Sequence, residues 1–313
     1  MTSPASQSLA TPGAREPQES PAPILLRPQP GWRAIDFREL LRYRQLLGFL
    51  ALRDIKVRYK QSLLGAAWAI LVPLGTMVVF NVLFGVLMSR EGKPTIPGVP
   101  YALCAFAALV PWQLFAHAVA QSSNSLVINR NLITKVYFPR LITPIAPILA
   151  AVVDFVIAFT VVIGMIVFYH FTEQEQNFQF HFTWQLMLLP VFMLLTVFAA
   201  LSVALWLSAV NAIYRDVKYA IPFLIQLWMF VSPVVYTTEH PRFRAYFAEH
   251  PWVETAYGLN PMAGVVEGFR WTLLGGGAPS LKLMAVSAAV VVLLLVAGLF
   301  YFRRMERTCA DLV

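Results

Sequence analysis

Long apolar runs separated by short polar stretches make up the chain from residue 63 onward. A helix needs about 20 consecutive, mostly apolar residues to cross the hydrocarbon layer of a membrane. Six runs reach or approach this length: 63–88, 101–121, 142–169, 186–209, 219–236 and 283–302. The pattern predicts an all-α integral membrane protein with six transmembrane helices, of which the fifth is the shortest.

A further apolar stretch, AYGLNPMAGVVEGFRWTLLG, lies between the fifth and sixth runs. It is too short to cross the membrane twice, and Asn260 and Pro261 interrupt it. Irregular backbone is tolerated at membrane depth only where surrounding protein buries it. The stretch therefore predicts a re-entrant helix pair at the outer face, before the last span. A single helix lying on the outer leaflet is the alternative.

Two regions precede the first run. Residues 1–33 are rich in proline and small polar residues, which predicts a disordered tail. In residues 34–62, apolar positions recur at near-helical spacing with cations between them, which predicts an amphipathic interface helix along the inner leaflet. A plain polybasic anchor is the alternative. The cations considered for this helix are Arg42, Arg44, Arg53, Lys56 and Arg58. The six-helix domain then covers residues 63–303, and residues 304–313 form a second tail.

Composition and charge placement add an orientation. Hydrophobic residues make up 58% of the chain and charged residues 13%, whereas soluble domains have about 25% charged residues. Of the 24 Lys and Arg, 18 lie in segments 1–62, 122–141, 210–218 and 303–313, and six lie in the intervening loops. Because cytoplasmic loops carry the excess of Lys and Arg, both termini are predicted to be cytoplasmic. The net charge of +8 therefore needs no nucleic-acid partner.

Motifs of the common catalytic and cofactor sites are absent from the sequence. It contains no GxxxxGK[ST], HExxH, paired CxxC or GxSxG motif, and its five histidines are not at metal-ligand spacing. We therefore predict no catalytic, cofactor-binding or metal-binding residue, and we do not expect an enzyme. A membrane enzyme that synthesises glycans with scattered acidic residues remains an alternative.

Asp154 is the one carboxylate near the middle of a predicted span. An ionisable side chain at this depth is a functional candidate, and a proton relay is one interpretation. The other spans supply no charged partner for such a relay. A buried, hydrogen-bonded structural residue is therefore the favoured interpretation.

Aromatic side chains are frequent in and near the spans. Their flat faces would suit the apolar faces of sugar rings if they line a path, whereas packing against lipid is the alternative for each of them. The candidates are Trp112, Phe115, Phe198, Trp206, Trp228, Phe230 and Tyr236.

Four separated blocks carry a resemblance to a known family. They are RDIKVRYKQSLLGAAWAILVPL (53–74) with FNVLFG (80–85), NRNLITKVYFPR (129–140), NAIYRDVKYAIPFLIQLWMFVSPVVY (211–236) and LNPMAGVVEGFRWTLLG (259–275). In this order they resemble the permease subunits of ABC transporters that export polysaccharides such as O-antigen, capsule and teichoic acid. The resemblance extends from about residue 36 to residue 303.

This resemblance implies a half-transporter in the bacterial inner membrane. Two copies of the chain would form a homodimer, bind two separate ATP-binding subunits, and export a lipid-linked polysaccharide, as in lipopolysaccharide biosynthesis. ATP and Mg would be bound by the partner subunits, and no cofactor by this chain.

The resemblance also implies where the partner binds, because in such exporters the loop between the second and third spans inserts into a cleft of the ATPase. Topology signalling alone is the alternative role for the charges of this loop. With the next cytoplasmic loop, the implied coupling residues are Asn129, Arg130, Asn131, Lys135, Phe138, Pro139, Arg140, Arg215 and Asp216.

Two other transporter classes remain as alternatives. One is an ABC permease that exports a drug or a small lipid. The other is an ion-coupled secondary transporter, which would be expected to have paired charges within the membrane and an internal repeat.

Overall fold

The computed structural model describes residues 37–60, 64–87, 96, 98–172, 180, 182–214 and 216–312. Those residues form α-helices, short 3₁₀ and π-helical segments and turns, and no strand. The helices are α1 (Phe37–Arg42), α2 (Arg44–Lys60), α3 (Trp68–Phe80), α4 (Tyr101–Ile128), α5 (Arg130–Lys135), α6 (Ile142–Phe171), α7 (Leu189–Ile213), α8 (Val217–Val231), α9 (Pro241–Glu249), α10 (Pro251–Gly258), α11 (Pro261–Leu274) and α12 (Leu281–Leu312). The predicted disordered tail, residues 1–33, lies outside the described residues.

The central helix of the fold is α4, which is buried along most of its length. Helices α3, α6, α7, α8 and α11 pack around it. Small residues such as Ala105 and Ala108, both fully buried, allow these neighbouring backbones to approach closely. The second predicted run is therefore the core of the helix bundle and has little surface for lipid.

Among the residues that the structure describes, four helical segments are long and apolar enough to cross a membrane: Tyr101–Ile128, Ile142–Phe171, Trp184–Ile213 and Leu281–Met305. They correspond to the second, third, fourth and sixth predicted runs. The first and fifth runs form shorter apolar helices, Trp68–Phe84 and Val217–Val231. The fifth is cut short because Pro233 follows Ser232, whose backbone is extended and ends α8.

The predicted interface helix is divided into α1 and α2. Leu50 and Ala51 are buried and pack α2 against α6. Phe49 and Leu52 lie on the opposite face of α2 and are exposed. One apolar set of α2 therefore contacts protein, while another remains at the surface of the chain.

The interval before α12 folds into three short helices. Each of α9, α10 and α11 has a proline at its start, where the missing N–H is not needed. Every residue of α11 is buried, and the helix packs against α4, α7 and α12. Gly264 permits the contact with α12, because a Cβ atom there would lie 2.9 Å from the Cα of Met284. The last helix continues through Leu312, so the predicted 304–313 tail is helical in its described part.

Candidate functional sites

The link between α4 and α6, residues 129–141, places the short helix α5 at the surface. Leu132 and Ile133 point inward and pack against buried residues of the bundle. The backbone then becomes extended at Val136, which ends α5. The predicted coupling residues that are exposed on this link are Arg130, Asn131 and Lys135.

Two other predicted coupling residues of the link are buried. The Asn129 side chain donates from Nδ2 to the carbonyl of Ser125 at 2.9 Å, so it fixes the junction between α4 and α5. Phe138 is 5% exposed and packs in a cluster with Leu50, Ala51, Ile142 and Ala146. Phe138 thereby joins the link to the interface helix α2. Pro139 and Arg140, which follow, are half-buried.

The shorter loop between α7 and α8 is only partly described. Asp216 is exposed and precedes the first turn of α8 without a hydrogen bond from its side chain to that turn. Arg215 lies outside the described residues.

The cations of the interface helix lie in different environments. Arg42, Arg44 and Lys56 are exposed. Arg53 pairs with its neighbour Asp54, with Nη2 and Oδ1 2.8 Å apart. Arg58 instead points toward α6. The cations of α2 therefore do not form a single polybasic surface.

Asp154 has two partners, and both come from the last turns of α2. Arg58 donates from Nη1 to Oδ2 of Asp154, and Tyr59 donates its hydroxyl to Oδ1. Asp154 is 9% exposed. The favoured interpretation, a buried and hydrogen-bonded acid, agrees with these contacts. The charged partner, Arg58, comes from the interface helix and not from another predicted span.

The seven aromatic candidates divide by burial. Trp112 and Phe115 are buried in the core of the bundle and contact each other. Trp206 stacks on Tyr301 and bonds to a carbonyl of α12, and Trp228 donates from Nε1 to Oδ1 of Asn260. These four side chains hold helices together.

Three candidates lie nearer the surface. The hydroxyl of Tyr236 bonds to that of Tyr257 at 2.8 Å. Phe198 and Phe230 are 43% and 51% exposed. Phe230 belongs to a stripe on α8 that also contains exposed Tyr219, Phe223 and Gln226. Their spacing of four, three and four residues places all four side chains on one helix face.

A buried cation holds the loop between α8 and α9. Arg270 of α11 is 1% exposed. Its guanidinium donates to three backbone carbonyls: Nη1 to Tyr236 at 3.1 Å, and Nη2 to Pro233 at 2.7 Å and Val234 at 3.2 Å. One side chain thus fixes the chain direction directly after α8.

Glu267 completes this arrangement from the preceding turn of α11. It is 1% exposed, and its Oε2 lies 3.5 Å from Nη1 of Arg270. Its carboxylate also accepts from the backbone N–H of Thr238 at 2.7 Å and from the hydroxyl of Thr237 at 3.1 Å. The two charges are therefore paired and hydrogen-bonded, as burial requires.

The count of positive charges assigned Arg270 to an outside loop, and Glu267 lies in the same loop. The structure buries both. The signal that could have found them is a charge pair at i and i+3 on a helix within an apolar stretch.

Asn260 ties α8 to the start of α11. Its Oδ1 accepts from Nε1 of Trp228 and from the N–H of Met262, both at 3.0 Å. Its Nδ2 donates to the hydroxyl of Ser232 at 2.9 Å. The Ser287 hydroxyl of α12 donates to the Asn260 carbonyl at 2.8 Å. In the sequence, Asn260 is evident only as a break in the apolar stretch.

Glu239 lies in the loop before α9, outside the candidate spans. Burial and the nearby charge of Glu267 raise the pKa of Glu239 to about 7, while Arg244 and Arg270 oppose the shift. This carboxyl group is therefore only partly charged at neutral pH. Within the part of the chain that the structure describes, no group of three or more His, Cys, Asp or Glu is placed to hold a metal ion.

Comparison with known proteins places this arrangement in context. Residues 45–274 match the family described as ABC-2 type transporter. The O-antigen export system permease protein RfbA of Myxococcus xanthus is 30% identical over 270 residues, which cover 86% of this chain and 96% of that protein. RfbA of Klebsiella pneumoniae is 24% identical over 269 residues, which cover 86% of this chain and 95% of that protein. The polysialic acid transport protein KpsM of Escherichia coli is 24% identical over 262 residues, which cover 82% of this chain and 92% of that protein.

Proposed function

The chain belongs to the ABC-2 type transporter family, and on that premise we propose that it is the permease subunit of a polysaccharide exporter. The observation that carries the proposal is its similarity, over 92–96% of their length, to proteins named for O-antigen export and polysialic acid transport. We propose a lipid-linked polysaccharide as the substrate. Separate ATPase subunits would supply the energy.

We propose six spans with both termini in the cytoplasm. Support comes from α3 and the π-helix Asn81–Leu87 that continues it. The 13 residues of α3 extend about 20 Å at 1.5 Å per residue, and the 7 π-helical residues, which rise less per residue, bring the total close to the ~30 Å thickness of the hydrocarbon layer. Helix α8 would be the short fifth span. The excess of Lys and Arg in the segments assigned to the cytoplasm supports the orientation.

Helices α10 and α11 would form the re-entrant pair at the outer face. The complete burial of α11 supports this, because backbone that enters the membrane without crossing it must be covered by protein. The contacts of Arg270 would then hold the loop that follows the fifth span against this pair.

Two copies of the chain would enclose the path for the glycan. Helices α3 and α8 support this, because both expose apolar or aromatic side chains, such as Trp68 and Val79 on α3 and Phe223 on α8. The aromatic stripe of α8 would face sugar rings, with Gln226 as a hydrogen-bonding group among them. ATP binding and hydrolysis in the partner subunits would open and close this path.

The first experiment locates the lipid-linked glycan in a strain that lacks this gene. We expect full-length glycan to accumulate at the cytoplasmic face, with none at the cell surface. Normal surface glycan would contradict the proposal and favour an exporter of a drug or small lipid. Loss of the glycan on both sides would contradict it in favour of synthesis.

The second experiment tests the contact with the ATPase. Because Lys135 is exposed on α5, Lys135→Glu should reduce both the co-purifying ATPase subunit and glycan export on the order of tenfold, as expected when a charge at an interface is reversed. Arg304→Glu, on exposed Arg304 of α12, is the control and should leave both unchanged. Equal losses in the two variants would favour topology signalling over coupling.

A further inference from the structure

The contact of Arg58 and Tyr59 with Asp154 joins the end of the interface helix to the middle of α6. We propose that Asp154 is a positioning residue of the transport cycle. It anchors α2, so that α2, the α4–α6 link and the first half of α6 move as one body. This inference rests on the proposed function, because it concerns how movement of the ATPase reaches the permease.

The sequence register places Arg58 on the face of α2 that packs against α6. Leu47, Ala51 and Arg58 are separated by four and seven residues, so they lie on one side of the helix. Leu47 and Ala51 belong to the apolar cluster between α2 and α6. Arg58 therefore extends the same packing surface, and its charge meets Asp154 at the end of that surface.

The position of Asp154 makes loss of its partner costly. It follows Ile142, the first residue of α6, by twelve residues, which is about 18 Å along the helix axis. Neighbouring residues of α6 are apolar, as in the sequence AAVVDFVIAF. A charge at such a position is costly unless it is paired, and removing one partner leaves the other charge uncompensated. The Asp154 side chain, which is 11% exposed, therefore depends on this pairing more than Arg58 does, whose side chain is 30% exposed.

A second attachment lies nearer the start of α6. Leu50 of α2 is 1% exposed and packs with Phe138 of the link and Ile142 of α6. Leu50 and Arg58 are eight residues apart, about 12 Å along α2. Two attachments at this separation fix the direction of α2, whereas one would let it pivot.

The two attachments define a path from the link to α3. Displacement of α5 would move Phe138, which belongs to the same apolar cluster as Leu50 and Ala51 of α2. Because α2 is also held at Asp154, it would move together with α6 and carry the start of α3 with it. Without the anchor at Asp154, α2 would turn about the apolar cluster and α3 would remain in place.

The test uses the full complex of permease and ATPase subunits in lipid vesicles. Asp154→Asn should lower ATP-driven glycan export roughly tenfold or more while ATP hydrolysis continues, so that more ATP is used per glycan exported. Tyr59→Phe removes one of the two hydrogen bonds and should lower export about threefold. The charge-reversed pair Arg58→Asp with Asp154→Arg should recover export relative to Asp154→Asn.

Thr160→Val is the matched control, because the Thr160 hydroxyl is exposed on α6 and bonds within that helix, to the carbonyl of Ile157. Glycan export by the Thr160→Val complex should match export by the unmodified complex. Unchanged export in Asp154→Asn would overturn the proposal. So would losses of export and of ATP hydrolysis in the same proportion, since these would reflect a structural role alone. If the Asp154→Asn complex does not assemble, the same two outcomes in Tyr59→Phe would overturn the proposal.

Hydrogen exchange of the α2 amides provides a readout that does not need the glycan. Asp154→Asn should accelerate exchange in residues 52–60 at least about tenfold, because the end of α2 would be released. Faster exchange in a complex that transports no polysaccharide would support the anchor and contradict the proposed function. Unchanged exchange would overturn the anchor whatever the substrate is.

Discussion

Replacing Arg270 with methionine is expected to destabilise the folded protein by about 3–5 kcal/mol, the cost of leaving one partner of a buried ion pair uncompensated. Glu267 would keep its charge in a site that is 1% exposed. Three carbonyls between residues 233 and 236 would lose the donor that now holds them. The measurement is the apparent melting temperature of the purified protein, together with the amount that remains monodisperse.

Two further variants are compared with Arg270→Met: one removes an exposed cation, and the other removes both charges of the buried pair. Lys282→Met also removes a cation, but Lys282 is 45% exposed and its Nζ lies 3.9 Å from Glu254. The cost there should stay below about 1 kcal/mol, as for other surface pairs. Glu267→Gln combined with Arg270→Met should recover part of the stability, because no unpaired charge remains. Equal melting temperatures for the Arg270 and Lys282 variants would contradict the expected cost of breaking the buried Arg270–Glu267 pair.

Replacing Gly264 with alanine is expected to destabilise the packing of α11 on α12 by about 1–3 kcal/mol, the usual cost of overpacking a well-packed contact. The new Cβ atom would lie 2.8 Å from the Cβ of Ser287 and 2.9 Å from the Cα of Met284. A backbone atom cannot move away by a change of rotamer as a side-chain atom can. Helices α11 and α12 must therefore separate. Separation would also lengthen the 3.0 Å bond from the Gly264 N–H to the Ser287 hydroxyl.

Gly164→Ala is the control for this substitution. Gly164 lies within α6, and a Cβ atom there would meet no other atom within 4 Å. Alanine should therefore be neutral or slightly stabilising at this position, since it favours helix. Thermal unfolding of the two variants in the same lipid or detergent gives the comparison. A Gly264→Ala protein as stable as Gly164→Ala would show that the contact can relax.

The sequence predicted the helical class correctly because apolar runs of about 20 residues are a strong signal for helices in lipid. The family followed from four blocks of residues in a fixed order, and the match over residues 45–274 confirms it. Helices form over most of residues 34–62, in agreement with the helical spacing of the apolar residues there, and the place of this segment along the inner leaflet stays a prediction. The same pattern failed to show that α2 carries apolar residues on two faces, since periodicity does not say which face meets protein.

The sequence was less informative about the candidate residues because burial depends on neighbours that are distant in the chain. Asn129 and Phe138 look like surface residues of a polar loop, yet both are buried. Trp112 and Phe115 look like wall residues of a path, yet α4 is central and both are enclosed. Hydropathy describes each residue separately, whereas enclosure is set by which helices pack around it.

The sequence by itself determined the helical class, the family and the distribution of positive charge, all of which depend on local composition and residue order. Only the tertiary structure decided the partners of the buried charges. Arg58 and Asp154 are 96 residues apart in the chain, and Arg270 binds carbonyls 34 to 37 residues away. Ion pairs and hydrogen bonds need atoms within a few ångströms, and in a helix bundle that proximity follows from packing, which no local pattern encodes.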